Sequence, residues 1–274
     1  MLPIWAKCPL RRSEATLNTS TTSDPAPKTR MVVIGATSAI AEHCCRLWVR
    51  DDSVELILVA RNEARAEQIA DDLRGLNAQA EISVETIDFL SAPAIAAAVA
   101  RWTAGRPLDR ALIAHGVLSP QQSCQDDLDQ TRQSIEVNGL SPVLFAEALA
   151  GTMGRAGRGT LGLIGSIAGD RGRRANYVYG ASKALMDRYA QGLRHRFAGS
   201  AVRIVVIKPG PTDTPMAAPY KAQGRRLAPV EEVARGTVEA MRRGRPVAYL
   251  PRRWKFIMLV ARALPDFVFN RINF

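Results

Sequence analysis

Short apolar runs alternate with longer amphipathic stretches along most of the chain, and this alternation predicts its fold. The apolar runs predict buried strands at 31–34, 54–60, 81–87, 110–114, 159–166, 202–207 and 247–250. Helices are predicted between them, among them 93–102, 131–149, 181–193 and 230–241. Buried strands separated by helices are typical of a parallel sheet that is covered on both faces. We therefore predict an α/β protein with a doubly wound parallel sheet of about seven strands.

Both ends of the chain differ from this pattern. The first segment, 1–30, contains a stretch rich in Ser, Thr and Pro that has no apolar period and is predicted to be disordered. It is either a weak transit peptide or a stretch ahead of a working start at Met31. The last segment, 251–274, is apolar and basic but is interrupted by Arg262 and Pro265. We divide the chain into an extension at 1–30, a domain at 31–250 and an amphipathic tail at 251–274.

Tyr179 and Lys183 lie where the 181–193 helix begins, and their side chains can do acid–base chemistry together. Residues four positions apart share one face of a helix. A cation near a phenol favours the phenolate and lowers its pKa from about 10. A tyrosine tuned in this way can exchange a proton with a substrate oxygen near neutral pH. The same spacing also arises by chance, as an interfacial tyrosine beside a solvated lysine.

Two further polar residues occupy unusual places. Ser166 ends the fifth predicted strand, and Asn138 lies among apolar neighbours inside the 131–149 helix. Asparagine is unfavourable inside a helix, so we expect it to have a specific role or a buried partner. A hydrolase function for Ser166 is not expected, because Ile164 stands where a nucleophile elbow requires glycine.

The segment after the first strand, 35–41, is a turn of small residues that leads into a helix. Such a turn can aim backbone N–H groups at a pyrophosphate, as in a Rossmann fold. Gly35 fills the first place of the usual glycine triplet, whereas Ala39 and Ala41 replace the other two. An ordinary turn between a strand and a helix is the alternative. After the second strand, Arg61 suits the 2′-phosphate of NADP, so NADP(H) is favoured over NAD(H), although a solvated arginine would look the same.

Composition narrows the classes of partner. The net charge of +11 indicates anionic partners, and no nucleic-acid-binding motif accompanies it, so we do not expect nucleic acid. The four cysteines form no C-x-x-C pattern and the three histidines are scattered. We therefore predict no metal site and a reduced, cytoplasmic compartment.

These residues together resemble the short-chain dehydrogenase/reductase family over about 31–250. Ala114, His115 and Gly116 resemble its Asn-Ala-Gly segment with the first two residues changed, and 208–214 resembles its Pro-Gly and threonine segment. The family's four catalytic positions are matched in order by Asn138, Ser166, Tyr179 and Lys183. Ser166 lies thirteen residues before Tyr179, which is the family's usual spacing.

The resemblance implies an NAD(P)H-dependent reduction of a ketone to a secondary alcohol. Tyr179 would give its proton to the ketone oxygen, and Ser166 would hydrogen-bond that oxygen. Lys183 would lower the pKa of Tyr179 and hold the nicotinamide ribose, and Asn138 would support a water that supplies protons to Lys183. The implied cofactor contacts are Gly35, Thr37, Ser38, Ala39, Ile40, Arg61, Asp88, His115, Gly116, Tyr179, Lys183, Pro209, Gly210 and Thr212. A non-catalytic NADP(H) sensor on the same fold is the alternative, and the four filled catalytic positions argue against it.

Basic clusters follow the ends of several strands, the edge at which parallel sheets bind ligands. We assign Arg171, Arg173 and Arg174 to a substrate rim, with Arg225 and Arg226 near it. These arginines either bind a phosphate or an anionic lipid surface, or they are ordinary loop residues of a basic, arginine-rich protein. In the tail, the apolar run is far shorter than the ~20 residues that a spanning helix needs. Its aromatic residues between basic ones fit an interfacial helix, a dimer contact or a lid on the core.

Within the family, 169–173, 176–180 and 249–254 are similar to a bacterial branch, the decaprenylphosphoryl 2-keto-pentose reductases. This similarity implies a small-molecule or lipid-phosphate ketone, such as the 2-keto sugar of a polyprenyl phosphate. We also expect a homo-oligomer, as is common in the family. The protein is expected to be cytoplasmic and peripheral on the inner face of an anionic membrane.

Overall fold

The structure is a computed structural model that describes residues 28–51 and 53–272. Nearly all of the predicted disordered extension lies outside the described residues. The strands are β1 Thr29–Ile34, β2 Val54–Ala60, β3 Glu81–Thr86, β4 Arg110–Ile113, β5 Arg158–Ile164, β6 Ala201–Pro209 and β7 Val247–Leu250. The helices are α1 Ala39–Asp51, α2 Glu63–Leu76, α3 Ala92–Trp102, α4 Gln121–Asp126, α5 Leu128–Ile135, α6 Ser141–Ala156, α7 Tyr177–Arg196, α8 Ala218–Ala222, α9 Val230–Arg242, α10 Arg253–Ala263 and α11 Asp266–Phe269.

The strands form one parallel sheet in the order β3-β2-β1-β4-β5-β6-β7. This confirms the predicted doubly wound fold. The strand order reverses between β1 and β4, so the helices that follow these two strands lie on opposite faces. Open parallel sheets bind ligands in the crevice that this reversal leaves at the carboxyl ends of the strands.

Alternate residues of β1 point to opposite faces of the sheet and enter two separate cores. Met31 and Val33 pack with residues of the helices that include Trp48 of α1 and Val233 of α9. Val32 and Ile34 pack on the other face, in a core that includes Trp102 of α3, Phe145 of α6 and Met186 of α7. Because both faces are covered, the central strands are apolar throughout instead of alternating between apolar and polar residues.

The helix predicted over 131–149 is helical without a break, but it is not α-helical throughout. A π-helical turn, Glu136–Leu140, separates α5 from α6. Such a turn inserts one extra residue into the helical hydrogen-bond pattern and is frequent at functional sites. Asn138 lies at its centre and is completely buried.

The tail packs back on the sheet instead of standing apart from it. Met258 and Ala261 of α10 are buried against Ile167, the residue after Ser166. Within 28–51 and 53–272, no helix is both long and apolar enough to cross a membrane.

Candidate active site

Gly35 lies at the close approach between the turn after β1 and the residue that follows β4. Its φ is +80°, and a Cβ there would come 2.5 Å from the His115 backbone nitrogen, so only glycine fits. The Ser38 N–H donates to the Gly35 carbonyl at 2.9 Å, and α1 begins at Ala39. Among the described residues, positive φ values occur only at glycines, so Ala39 and Ala41 fit without backbone strain. The altered glycine triplet therefore still forms the predicted turn.

The predicted cofactor contacts around this crevice differ in exposure. Ile40, Pro209 and Thr212 are buried, whereas Thr37, Arg61 and Asp88 are exposed at its edge. The Asp88 carboxylate accepts the Leu90 N–H at 2.8 Å, which fixes its direction after β3. The exposed side chains can reach a bound nucleotide directly, and the buried ones shape the backbone beneath it.

His115 is a neutral acceptor in the wall of the crevice. Burial, then Lys183 and then Arg61 lower the pKa of His115 to about 3. Its Nε2 lies 2.9 Å from the Ser141 hydroxyl, which donates its own proton to the Phe89 carbonyl at 2.6 Å. Nε2 therefore carries the histidine proton, and Nδ1 is a buried acceptor that lacks a partner among the described residues. An orphaned acceptor between two cationic side chains fits an anionic ligand that carries hydroxyl donors, as the predicted dinucleotide does.

Asn138 fixes the backbone behind Lys183. Its Nδ2 donates to the Ser134 carbonyl at 2.9 Å, and its Oδ1 accepts the Val117 N–H at 2.8 Å. A Cβ on Gly116 would lie 2.8 Å from Asn138 Oδ1 and 3.5 Å from Lys183 Nζ. The structure thus brings Asn138, Gly116 and Lys183 together. The water that Asn138 would support stays a prediction.

Ser166 and Tyr179 meet because α7 packs closely on the turn after β5. A Cβ on Gly180 would lie 2.8 Å from the Ala168 carbonyl oxygen, so glycine allows this close approach. The Ser166 hydroxyl accepts the Ala168 N–H at 3.1 Å and is hydrogen-bonded to the Tyr179 phenol. The two hydroxyl groups therefore form one polar unit at the carboxyl end of β5.

Lys183 lies one helical turn after Tyr179 and is almost completely buried. Its Nζ donates to the Ile164 carbonyl at 3.2 Å and lies 5.8 Å from the centroid of the Tyr179 ring. Burial lowers the pKa of Lys183 to about 8, and Asp187 opposes this effect. The ammonium is thus mostly charged at neutral pH and loses its proton in the mildly alkaline range.

The pKa of Tyr179 corrects the sequence prediction. Lys183 was expected to lower it, but burial raises the pKa of Tyr179 to about 12, against the hydrogen bond from Ser166 and with a further contribution from Tyr220. Burial of the phenol, which disfavours the charged phenolate, is the largest of these effects. Tyr179 is therefore a protonated group near neutral pH.

The loop after β6 closes the opposite side of the site. The Gly210 N–H donates to the Leu250 carbonyl at 2.9 Å, and the Thr212 hydroxyl donates to the Gly210 carbonyl at 2.9 Å. Gly210 has no room for a Cβ because the Trp254 indole of α10 lies directly against it. The Trp254 Nε1 is buried without a hydrogen-bond partner among the described residues. The tail therefore forms a wall of this site, which the sequence left open.

Arg171 does not belong to the substrate rim, which corrects its assignment. Its Nη1 donates to the carbonyls of Ala261 at 2.6 Å and Leu264 at 2.5 Å, and its Nη2 pairs with Asp266 at 2.7 Å. The guanidinium also lies 3.9 Å from the Phe269 ring centroid. Arg171 anchors the two tail helices.

Arg173 and Arg225 both interact electrostatically with Tyr220, which also raises the pKa of Tyr179. Burial lowers the pKa of Arg173, with Tyr220 opposing and Arg225 adding to the effect. The Arg225 guanidinium carbon lies 5.4 Å from the Tyr220 ring centroid. Arg174, the third residue of the predicted rim, is exposed. The sequence indicated both Arg173 and Arg225, but it gave no signal for Tyr220.

A buried ion-pair network on the other side of Lys183 was also missed. Lys208 pairs with Asp170 and, at 2.6 Å, with Asp187, and the Tyr249 hydroxyl donates to Asp170 at 2.8 Å. These residues line a cavity of about 340 Å³. The one available signal was an acid four residues after Lys183 on the same helix.

The family assignment follows from comparison with known proteins. The family model described as short chain dehydrogenase matches residues 29–225. An uncharacterized oxidoreductase of Mycobacterium tuberculosis is 32% identical over 252 residues, which cover 88% of this chain and 96% of that protein. An uncharacterized oxidoreductase of Streptomyces coelicolor is 29% identical, covering 90% and 96%. The chain therefore belongs to the short-chain dehydrogenase/reductase family of NAD(P)-dependent oxidoreductases.

Solved structures share the fold at low sequence identity. A short-chain dehydrogenase from Sphingobium yanoikuyae in complex with NADPH has a TM-score of 0.75 and 20% identity, covering 89% of this chain and 96% of that one. One from Burkholderia cenocepacia in complex with NADP also has a TM-score of 0.75, with 18% identity, covering 90% and 98%. At these identities the likeness concerns the fold.

Proposed function

We propose that this chain reduces a ketone to a secondary alcohol at Ser166, Tyr179 and Lys183. The observation that carries the proposal is the arrangement at the carboxyl end of β5, where the Tyr179 phenol is hydrogen-bonded to Ser166 and Lys183 Nζ lies 5.8 Å from the centroid of the Tyr179 ring. A phenol that holds its proton at neutral pH can give it to a carbonyl oxygen. Ser166 then offers that oxygen a second hydrogen bond and fixes its direction. Lys183, charged below pH 8, steadies the negative charge that remains on Tyr179.

NADPH is the proposed reductant, and when bound it supplies the hydride. The Gly35 turn and the start of α1 would hold the pyrophosphate, and Arg61 would contact the 2′-phosphate. Support comes from the exposed position of Arg61 after β2 and from the NADPH and NADP complexes of proteins with the same fold. The substrate is proposed to enter from the side of Arg173, Tyr220 and Trp254.

The proposed substrate carries an anionic group. Arg173 and Arg225 interact electrostatically with Tyr220, which acts on the Tyr179 phenol, and guanidinium groups are well suited to phosphate or carboxylate. The 2-keto sugar of a polyprenyl phosphate is the narrower form of this proposal. It depends on the sequence similarity and on this basic opening, since the relatives above are named only as oxidoreductases.

We further propose that the tail places the site against an anionic membrane surface, as a lipid-borne ketone requires. Support comes from exposed apolar side chains on α10 and α11 and from basic residues at the start of α10. Homo-oligomer formation through the long helices stays a prediction from the family. So does the division into an extension, a domain and a tail.

The test is NADPH consumption with pairs of ketones that differ only in a phosphate group. We expect turnover of the phosphorylated member and a loss of about 100-fold or more in Tyr179→Phe, the range of general acid catalysis. Tyr177→Phe, two residues earlier on the same helix, is the matched control and should keep its activity. NADPH binding without turnover on any ketone would favour the sensor instead. Equal activity in Tyr179→Phe would refute the proposed proton donor.

A further inference from the structure

Asp187 and Lys183 are both held against the end of β5. Lys183 Nζ donates to the Ile164 carbonyl at 3.2 Å. A Cβ on Gly165, the next residue, would lie 3.2 Å from Asp187 Oδ1, and one on Gly169 would lie 3.1 Å from Asp187 Oδ2. The two glycines thus leave the space that the carboxylate fills. Because Lys183 and Asp187 are four residues apart on α7, their side chains share one face of the helix.

The Asp187 carboxylate is itself held by a charged partner from another strand. Lys208 Nζ of β6 lies 2.6 Å from Asp187 Oδ2 and also pairs with Asp170. Burial alone would lower the pKa of Lys208, but the two carboxylates together raise it, so Lys208 stays a cation. Both carboxylate oxygens of Asp187 are buried and lack a geometrically good hydrogen bond among the described residues, so the ion pair with Lys208 is what holds Oδ2.

We propose that Asp187 is a positioning residue for the reductase reaction: its fixed carboxylate keeps the Lys183 ammonium charged beside Tyr179. The proposal rests on the function proposed above, because it gives Lys183 a role in the reaction. The proposal gives the buried ion-pair network a role in the reaction. A role in stability alone does not explain the network, because a buried ion pair is weak evidence for stability.

The other ionisable groups around Lys183 do not take over this task. Tyr179 on α7 is protonated, and His115 after β4 is neutral. Lys208 on β6 is a further cation, and Asp170 after β5 lies beside it. On the cavity side, Asp187 also faces Arg188 and Arg194 of α7, Tyr249 of β7 and Arg262 of α10. Asp187 opposes the fall in the pKa of Lys183, while burial raises the pKa of Asp187 itself and Lys208 and Lys183 act to lower it.

The direct test is an NMR titration of the lysine side chains labelled with ¹³C at Cε. The chain has few lysines, so their signals can be assigned by substitution: Lys7, Lys28, Lys183, Lys208, Lys221 and Lys255. In Asp187→Asn we expect the Lys183 midpoint to fall from about 8 by about one pH unit or more. Asp187→Glu, which keeps the charge, should restore most of the difference. The matched control is Asp213→Asn, which removes an exposed partner of Lys221 and should leave Lys183 unchanged.

A second measurement covers the case in which Asp187→Asn does not fold. Because the interaction between two charged groups is reciprocal, Lys183→Met should raise the pKa of Asp187. This pKa is measured by NMR from the ¹³C signal of the Asp187 carboxyl carbon. A Lys183 midpoint that stays the same in Asp187→Asn, or an Asp187 midpoint that stays the same in Lys183→Met, overturns the proposal. Neither titration depends on catalytic turnover. A failure of the Asp187 proposal can therefore be distinguished from a failure of the proposed reductase function. If both hold, the alkaline limb of kcat/KM for ketone reduction shifts to lower pH in Asp187→Asn.

Discussion

Lys183 is buried, Tyr179 and His115 are half-buried, and in each of them burial favours the neutral form. The pKa of Tyr179 rises to about 12, while those of Lys183 and His115 fall to about 8 and about 3. For the two bases, the neutral form appears at lower pH than in water; for the phenol, the neutral form persists to higher pH. Tyr179, the proposed proton donor, therefore stays protonated across the physiological pH range.

The depressed pKa of His115 predicts a loss of stability in mild acid. The unfolded state takes up a proton near pH 6.5, whereas folded His115 resists it down to about pH 3, so stability falls as the pH drops through this range. Between pH 7 and pH 5 this effect costs about 2 kcal/mol at most. In His115→Phe, which keeps the aromatic packing with Phe89 and Phe145, urea unfolding should show a smaller acid loss. An equal pH dependence in both proteins would contradict a neutral His115.

Arg61 predicts the cofactor preference. Arg61→Gln removes the charge that would meet the 2′-phosphate, so we expect NADPH binding to weaken about tenfold, since charge-assisted hydrogen bonds contribute about 1.5 kcal/mol or more. NADH binding should change little. Fluorescence titration with both nucleotides measures the ratio. Arg65→Gln, one turn further along and paired with Glu42, is the control; a parallel loss for NADPH and NADH in Arg61→Gln would rule out the assigned role.

At the residue scale, spacing predicted which side chains meet, but not what their surroundings do to them. Tyr179 and Lys183 were identified from one helical turn, and Ser166 from its place at a strand end. The direction of the Tyr179 pKa depends on how much water reaches the phenol, which spacing does not show. The Arg171 guanidinium donates to two backbone carbonyls that lie about ninety residues further along the chain. Only the folded structure reveals this pairing.

At the scale of elements, the central strands were predictable because they are buried on both faces and are therefore nearly unbroken apolar runs. The π-helical turn at Glu136–Leu140 could not be predicted in this way. It inserts a single residue, and the apolar pattern on both sides of it is still that of a helix. The tail was recognised as amphipathic, but how it packs on the domain depends on the shapes of the two contacting surfaces. Gly210 accepts the Trp254 indole because it lacks a Cβ, and no pattern along the sequence connects these two residues.

This contact predicts that Gly210→Ala displaces α10. A methyl group would overlap the Trp254 indole, and such overpacking typically costs about 1–3 kcal/mol. We expect a lower melting temperature and faster proteolysis within α10. The double variant with Trp254→Ala should lose less than the sum of the two single changes. Gly192→Ala in α7, where a Cβ meets nothing within 4 Å, should not destabilise the protein; additive effects in the double variant would mean that the two residues do not clash.

At the scale of the whole molecule, charge and apolar exposure coincide beside the site. The chain carries a net charge of +11, and Arg252, Arg253 and Lys255 are exposed at the start of α10. On the outer face of the tail helices, four large apolar side chains are more than 60% exposed: Phe256, Leu259, Val260 and Phe267. Their inner face is occupied by Met258 and Ala261. An exposed apolar face beside basic residues is the feature on which the proposed membrane contact rests.

The tail face therefore predicts binding to anionic vesicles. In flotation, the protein should rise with vesicles that contain anionic lipid and less with purely zwitterionic ones, and salt should weaken the binding. Phe256→Ser with Leu259→Ser should lower binding about 100-fold, since each of the two buried apolar side chains contributes about 1.5 kcal/mol. Leu128→Ser, at an 82% exposed leucine of α5, is the matched control. Equal flotation by all three proteins, or a change of oligomeric state only in the double variant, would mean that this face meets a second copy or water instead of lipid.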